Sequence, residues 1–369
     1  MKREIKIGKH KINDDSKCFV IAELGHNHQG DIETAKKLID EAAYHGADAV
    51  KLQKRNNKKL YTTAMYNKSY DNENSFGLTY GEHREALEFG KKEYRELKTY
   101  AENKGIEFLS TAFDFDSVDF LEDIGISAYK IASGDITNHP LIEYIASKNK
   151  PVIISTGASD FDDVKSAYNI LRNHINQLCI MQCTAAYPAD PKDIHLNVIQ
   201  TYLKEFPEAV IGYSGHDNGI VIPVVAYILG ARIVEKHFTL NRAMKGTDHK
   251  FSLEPQGLRK MIRDLNRIYV ALGSPEKKCY PFELPAKEKM GKSIVLSRAI
   301  KKGEIVTEDA IQFKSPGLGI PPSRVNEVIG KRVRYDLPEE TILNFDHIAK
   351  EKLLETTLKQ TIVKSDDLR

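Results

Sequence analysis

Short apolar runs alternate with amphipathic stretches from the start of the chain to about residue 272. The strand candidates, mainly apolar, are Phe19 to Ala22, Ala49 to Leu52, Ile106 to Leu109, Tyr129 to Ala132, Val152 to Ile154, Leu178 to Met181, Val210 to Gly212 and Ile233 to Glu235. Short segments of this mainly apolar kind predict buried strands, as in a parallel sheet. After the first run, Ala35, Leu38, Ile39, Ala42 and Ala43 fall on one helical face, and Gly46 stops the helix. Helical patterns recur at Tyr94 to Asn103, Val118 to Glu122, Leu141 to Ser147, Asp162 to Leu171, His195 to Lys204, Ile220 to Leu229 and Leu258 to Ala271. Strand–helix units repeated in this way predict an α/β fold in which a parallel sheet closes into a (β/α)8 TIM barrel. An open doubly wound sheet is the alternative, but no G-x-G-x-x-G follows the first strand to support it. Residues 54–91, rich in Asn, Lys and Tyr, break the rhythm and read as a functional or flexible insertion.

Beyond the barrel region, 1–275, the texture changes. Residues 276–290 read as a polar, Pro-containing linker, and 291–350 as a small β-rich module. In that module Ser293 to Leu296 is a strand candidate, Thr307 a helix N-cap candidate, and Leu337 to Asp346 a second turn-and-strand unit. The charged tail, 351–369, is expected to be a frayed helix or disordered.

Composition narrows the partners. A formal net charge of +2 over 369 residues, with no long basic run, gives no reason to expect nucleic acid or a membrane surface. No apolar run approaches the ~20 residues of a spanning helix, and the first residues lack the apolar centre of a signal peptide. The four cysteines, Cys18, Cys179, Cys183 and Cys279, read as reduced core residues of a cytoplasmic protein.

Polar side chains cluster at the predicted strand ends: Glu23, Lys51 with Gln53, Ser110 with Thr111, Lys130 with Ser133 and Asp135, Ser155 with Thr156, Thr184, Ser214 with His216, and Glu235 with His237. In a parallel barrel those ends gather at one rim, where active sites lie. Two imidazoles there, His216 and His237, can hold a divalent metal with positions open for water or substrate. The competing reading is that both histidines bond backbone groups. Asp248 and His249 follow in a Gly-containing loop placed to fold over the same rim.

The ordered motifs IAELGHNHQGD (21–31), GADAVKLQ (46–53), LSTAFD (109–114), AYKIASGD (128–135), ISTGAS (154–159), QCTAAYP (182–188), IGYSGHD (211–217) and VEKHFTLN with KGTDHKFSLEP resemble the sialic acid synthases. The module carrying SPGLGIPP and IGKR resembles their antifreeze-like (SAF) domain. The resemblance covers about 17–348. It implies condensation of phosphoenolpyruvate with an N-acetylhexosamine, in a domain-swapped homodimer whose SAF domain caps the partner's barrel. It also implies a divalent metal, Mn2+ or Mg2+, activating the open-chain aldehyde. By the same resemblance Lys51, Lys130, Thr111, Ser133, Ser155 and Ser214 surround phosphoenolpyruvate, Glu23 is the candidate for proton transfer, and Asp248 binds sugar hydroxyls. Tyr187 and Gln53 are further sugar contacts, and Asp135 stands where many bacterial members have Glu.

Two positions depart from the bacterial pattern. Ser315, beside Lys314, stands where an Arg reaches the N-acetyl group, and Ala185 replaces an Asn. Residues 75–89 resemble the animal branch, which uses the 6-phosphate of N-acetylmannosamine, and Lys58, Lys59, Lys68 and Arg84 lie in or near that stretch. A phosphorylated or otherwise atypical acceptor is therefore expected. The rivals are a synthase for legionaminate, pseudaminate or the deaminated sugar acid, and a sugar-binding protein without catalysis.

Overall fold

A computed structural model describes residues 3–349. The expectation of a frayed or disordered tail at 351–369 lies outside the described residues. The chain forms two compact units, Met1–Gly273 and Ser274–Arg369.

The first unit opens with an antiparallel hairpin, β1 (Glu4–Ile7) and β2 (His10–Asn13). Eight strands follow: β3 (Phe19–Gly25), β4 (Ala49–Lys54), β5 (Glu107–Ala112), β6 (Tyr129–Ile131), β7 (Val152–Ser155), β8 (Leu178–Cys183), β9 (Val210–Gly215) and β10 (Ile233–His237). They run parallel in sequence order, and β10 closes onto β3 to make a barrel. Helices such as Ile32–Tyr44, Lys91–Asn103 and Pro255–Leu272 alternate with them. The predicted (β/α)8 barrel is the observed fold.

Successive strand residues face opposite sides, and here the two sides have different chemistry. Val20, Ala22, Val50, Leu52, Ile154 and Ile180 pack with the helices. The other parity faces the barrel axis. At the N-terminal end of the strands it presents Phe19, Ile21, Ala49, Leu109, Ile153, Cys179, Val210 and Ile233, joined by Ile5, Ile7 and Ile12 of the hairpin. The hairpin, absent from the sequence reading, thus plugs the barrel floor. Continuing upward on the same parity come Glu23, Lys51, Gln53, Thr111, Lys130, Ser155, Ser214, Glu235 and His237.

Several strands run farther than their apolar runs. β4 continues to Lys54, β5 to Ala112, β8 to Cys183 and β9 to Gly215. Most of the polar residues expected just past the strand ends therefore sit within the strands, aimed inward. Residues 54–91 are ordered as three short helices, Asn57–Leu60, Thr63–Tyr66 and Tyr80–Glu85, the last with a Thr79/Glu82 capping box. Of the cysteines, Cys179 and Cys183 are buried, Cys18 is partly covered, and Cys279 is exposed, so the core expectation fails for Cys279. It falls in the polar, Pro-containing stretch at the start of the second unit, where the surrounding residues are exposed.

The second unit is built on β11 (Ser293–Leu296) and β12 (Ile311–Lys314), paired antiparallel. Its own core contains Ile294, Leu296, Ile300, Val306, Val328, Val333 and Leu343. Thr307 does precede a short 3-10 turn, but its side chain makes no cap hydrogen bond. The stretch 337–346 forms single bridges, Ile300 to Leu337 and Val295 to Ile342, in place of the expected strand. Pro338 and the acids Glu339 and Glu340 interrupt the alternation a ladder needs.

Candidate active site

The inward-facing polar residues form a compact charged layer. Lys51 Nζ lies 2.6 Å from Glu23 Oε2, 2.7 Å from Thr111 Oγ1 and 3.7 Å from Glu235 Oε1. Lys130 Nζ donates to Ser155 Oγ at 2.5 Å and to the Ile131 carbonyl at 3.1 Å. Ser214 Oγ donates to Glu235 Oε1 at 3.3 Å, and Gln53 Nε2 to Glu23 Oε1 at 2.6 Å. Glu23, Lys51, Lys130 and Glu235 are all at most 6% exposed. Four ionisable groups at that depth are expensive unless they pair or meet a charged ligand.

Their proton affinities are shifted accordingly. Burial pushes the Glu23 carboxyl up to about 7, against the pull of Lys51, and Glu235 raises it further. Glu235 is held below the usual carboxylate range despite its burial, by Lys130 and Lys51. Lys130 is lowered by burial, a shift that Glu235 opposes. Two buried acids driven apart in this way, one able to carry a proton near neutrality, suit proton transfer.

Above this layer stand the two imidazoles. Their ring centroids are 5.5 Å apart, and Phe251 packs edge-on against His237 at 4.9 Å. His216 Nδ1 lies 2.8 Å from the Thr184 carbonyl oxygen. A carbonyl only accepts, so Nδ1 carries the proton and Nε2 keeps its lone pair. The reading in which histidine bonds backbone thus holds for one nitrogen of His216 and leaves the other available. His237 Nδ1 is buried without a hydrogen-bond partner, 3.7 Å from Asp248 Oδ2. Burial, then His237, pushes His216 down to about 4, and burial lowers His237 as well. Both rings are therefore neutral, the form that ligates metal. Two neutral imidazoles with an orphaned nitrogen fit a divalent cation. Among the described residues no group of three or more His, Cys, Asp or Glu gathers as a full ligand set, so its other positions would belong to water or substrate.

The scaffold fixes these rings from below. Lys236 is fully buried and its Nζ lies 3.0 Å from Asp217 Oδ1. It also donates to the Asp217 carbonyl, and Tyr213 OH donates to Asp217 Oδ1 at 2.7 Å. Asp217 and Lys236 are the chain neighbours of His216 and His237.

The remaining expected residues are placed as follows. Ser133 Oγ accepts from Gly157 N–H at 2.9 Å. Asp135 is buried, accepts from Asn138 at 3.3 Å, and is raised by burial. Tyr187 lies against His216, centroids 4.2 Å apart, with its face largely open. His249 turns aside, its Nδ1 meeting Thr239 Oγ1 at 2.7 Å, and stays out of the imidazole pair. Ser315 belongs to the second unit, where its hydroxyl accepts from Lys292 Nζ at 2.7 Å. Lys58, Lys59 and Lys68 are exposed, and Lys59 is paired with Asp116 at 2.7 Å. Of the cations proposed around the insertion, Arg84 alone turns inward.

Three residues had no assigned role in the sequence reading: Glu235, Gly25 and Arg55. The inward parity shared with His237 identifies Glu235. Gly25 has φ +51°, a left-handed conformation, and an added Cβ would stand 3.2 Å from Asp248 Oδ2 and 3.4 Å from Glu23 Oε1. Arg55 is buried and joined to Gln53.

Comparison with known proteins shows the family. The NeuB family profile matches residues 38–277 and the SAF domain profile residues 291–349. The chain is 41% identical to human N-acetylneuraminate-9-phosphate synthase over 324 residues, covering 88% of this chain and 90% of the relative. It is 37% identical to N,N'-diacetyllegionaminic acid synthase of Legionella pneumophila, covering 90% and 94%. Among solved structures, the N-acetylneuraminic acid synthetase of Leptospira borgpetersenii superposes with a TM-score of 0.68 at 35% identity, covering 78% of this chain and 95% of that one.

Proposed function

The chain belongs to the NeuB family, and on that footing we propose that it joins phosphoenolpyruvate to an N-acetylmannosamine-type sugar. The products are phosphate and a nine-carbon 2-keto-3-deoxy acid. C3 of the enol phosphate bonds to the open-chain aldehyde carbon, water adds at C2, and phosphate leaves with the C2–O bond. The observation that carries this reading is the buried layer of Lys51, Lys130, Glu23 and Glu235 directly beneath two neutral imidazoles.

Lys51 and Lys130, with the hydroxyls of Thr111, Ser133, Ser155 and Ser214, offer the donors a trianionic enol phosphate needs. Holding both reactants in one dry cavity removes much of the entropic barrier. Glu23 reaches Lys51 on one oxygen and Gln53 on the other, so it stands between the two substrates and moves the proton. His216 and His237 would hold a divalent metal, Mn2+ or Mg2+, which supplies Lewis-acid polarisation of the aldehyde oxygen. Asp248, Gln53 and Tyr187 orient the sugar. In the same reading the protein is a cytoplasmic homodimer whose SAF domain, with Ser315, serves the partner's barrel.

The test is phosphate release from phosphoenolpyruvate with N-acetylmannosamine, its 6-phosphate or a diacetylated hexosamine, in the presence of Mn2+. Release that requires a sugar supports the proposal. No release with any of them leaves a sugar-binding protein as the better reading. A product only from the diacetylated sugar would favour the legionaminate branch, which the Legionella relative's name makes the specific alternative.

A further inference from the structure

Behind Glu23 lies a chain of side chains whose hydrogen bonds all point one way. Arg55 NH2 donates to Gln53 Oε1 at 2.6 Å, and Gln53 Nε2 donates to Glu23 Oε1 at 2.6 Å. The other carboxyl oxygen of Glu23, Oε2, faces Lys51 Nζ at 2.6 Å. A glutamine amide can stand either way round, and its neighbours decide which. Arginine has donors and no acceptor, so the Gln53 atom it meets must be the oxygen. The amide nitrogen is then turned toward Glu23.

The arginine that makes this choice is itself fixed. Arg55 is 8% exposed and lies over the Phe113 ring at 3.8 Å, with NH1 3.0 Å from His26 Nε2. Its backbone N–H donates to Glu88 Oε2 at 3.4 Å. Tyr94 OH donates to the Gln53 carbonyl at 3.0 Å, so the glutamine backbone is held as well. Rotation of the amide is the freedom that remains, and Arg55 removes it. The orientation has a chemical consequence. With Nε2 toward it, Glu23 accepts at Oε1 and needs no proton there. The reversed amide would set Gln53 Oε1 against Glu23 Oε1. Two acceptor oxygens at that distance need a proton between them, and Glu23 would hold it on the side away from Lys51.

We propose that Arg55 is a positioning residue for the reaction. By locking the Gln53 amide it keeps a proton from being trapped at Glu23 Oε1, so that Glu23 exchanges its proton at Oε2, beside Lys51 and the polar layer. The proposal rests on the reading of Glu23 as the group that moves the proton, and deepens it.

The experiment compares full-length wild type with Arg55→Met, Arg55→Lys, Gln53→Met and the double variant Gln53→Met/Arg55→Met. One readout is phosphate release from phosphoenolpyruvate with whichever sugar wild type uses. The other is solvent exchange of the Gln53 side-chain amide by NMR, assigned by its loss in Gln53→Met. Arg55→Met should speed that exchange by about tenfold and lower kcat by about tenfold, with KM for phosphoenolpyruvate within about threefold of wild type. Arg55→Lys keeps a donor that cannot accept, and should recover most of kcat. In the Gln53→Met background, Arg55→Met should cost nothing further. Arg55→Gln, whose own amide can donate or accept, is read in the same way if Arg55→Met does not fold. An amide equally protected in the Arg55 variant overturns the proposal whether or not any protein turns over. So does an unchanged kcat, or a double-variant loss equal to the product of the two single losses. Arg55-dependent protection in a wild type that releases no phosphate with any sugar sustains the lock and removes the condensation reading.

Discussion

The buried pair Lys236–Asp217 offers a sharp test of how the rim histidines are held. Lys236 and Asp217 side chains are 0% and 1% exposed and 3.0 Å apart. At an effective dielectric of about 20, two unit charges at that distance attract by about 5.5 kcal/mol. Desolvating two ions removes most of that gain, so the pair as a whole contributes little. Removing one member is a different matter, because the other stays buried without its partner. Lys236→Met should therefore destabilise the barrel by about 3–5 kcal/mol. Asp217→Asn should also destabilise it, while the double variant Asp217→Asn/Lys236→Met should lose less than the sum of the two by about 2 kcal/mol or more. The assay is urea unfolding followed by far-ultraviolet circular dichroism, reading midpoint shifts at constant m-value. A single-variant loss below about 1 kcal/mol, or additivity within about 0.5 kcal/mol, would refute the reasoning.

Three other outcomes are expected. His237→Ala should abolish phosphate release while the unfolding midpoint stays near wild type, and chelation should do the same; undiminished release after chelation contradicts a metal at the imidazole pair. Ile7→Ala, at a fully buried position in the barrel floor, should cost about 2–5 kcal/mol in the same urea assay, and a near-zero effect would show that the hairpin is not part of the core. Ending the chain at Gly273 should leave a folded barrel with little turnover if the SAF domain completes the partner's site, and full activity in that truncation would dispose of the dimer.

The barrel was legible because short, mainly apolar segments recur between helical patterns, and that signal needs no knowledge of the partner strands. It stopped at Leu52, Leu109, Met181 and Gly212, whereas the strands run on to Lys54, Ala112, Cys183 and Gly215. Hydrophobic periodicity ends where the barrel changes from apolar floor to polar layer, so the reading lost the strand at the point where its chemistry begins. The hairpin was missed for a related reason. EIKI and HKIN do alternate, but lysines flank the isoleucines and depress the window on both sides. The imidazole pair could be read because both histidines follow apolar runs. Arg55 and His26 could not, since their pairing spans 29 positions and crosses from the end of β4 to the loop after β3.

The buried polar layer sets two cations against two acids, and in the proposed reaction it has to admit a further anion. In the polar layer Lys51 and Lys130 face Glu23 and Glu235, so each ammonium already has an anion nearby. An incoming trianion must displace some of that pairing, and the acid best able to yield is Glu23, because its raised proton affinity lets it become neutral near pH 7. Taking up a proton there would free Lys51 for the new ligand without exposing a bare carboxylate to it. On the proposed reading, binding of phosphoenolpyruvate is thereby coupled to uptake of a proton at Glu23. A Glu23→Gln variant tests this. It should bind phosphoenolpyruvate with a weaker pH dependence than wild type across pH 6 to 8. An unchanged pH dependence of phosphoenolpyruvate affinity would show that the proton is taken up elsewhere.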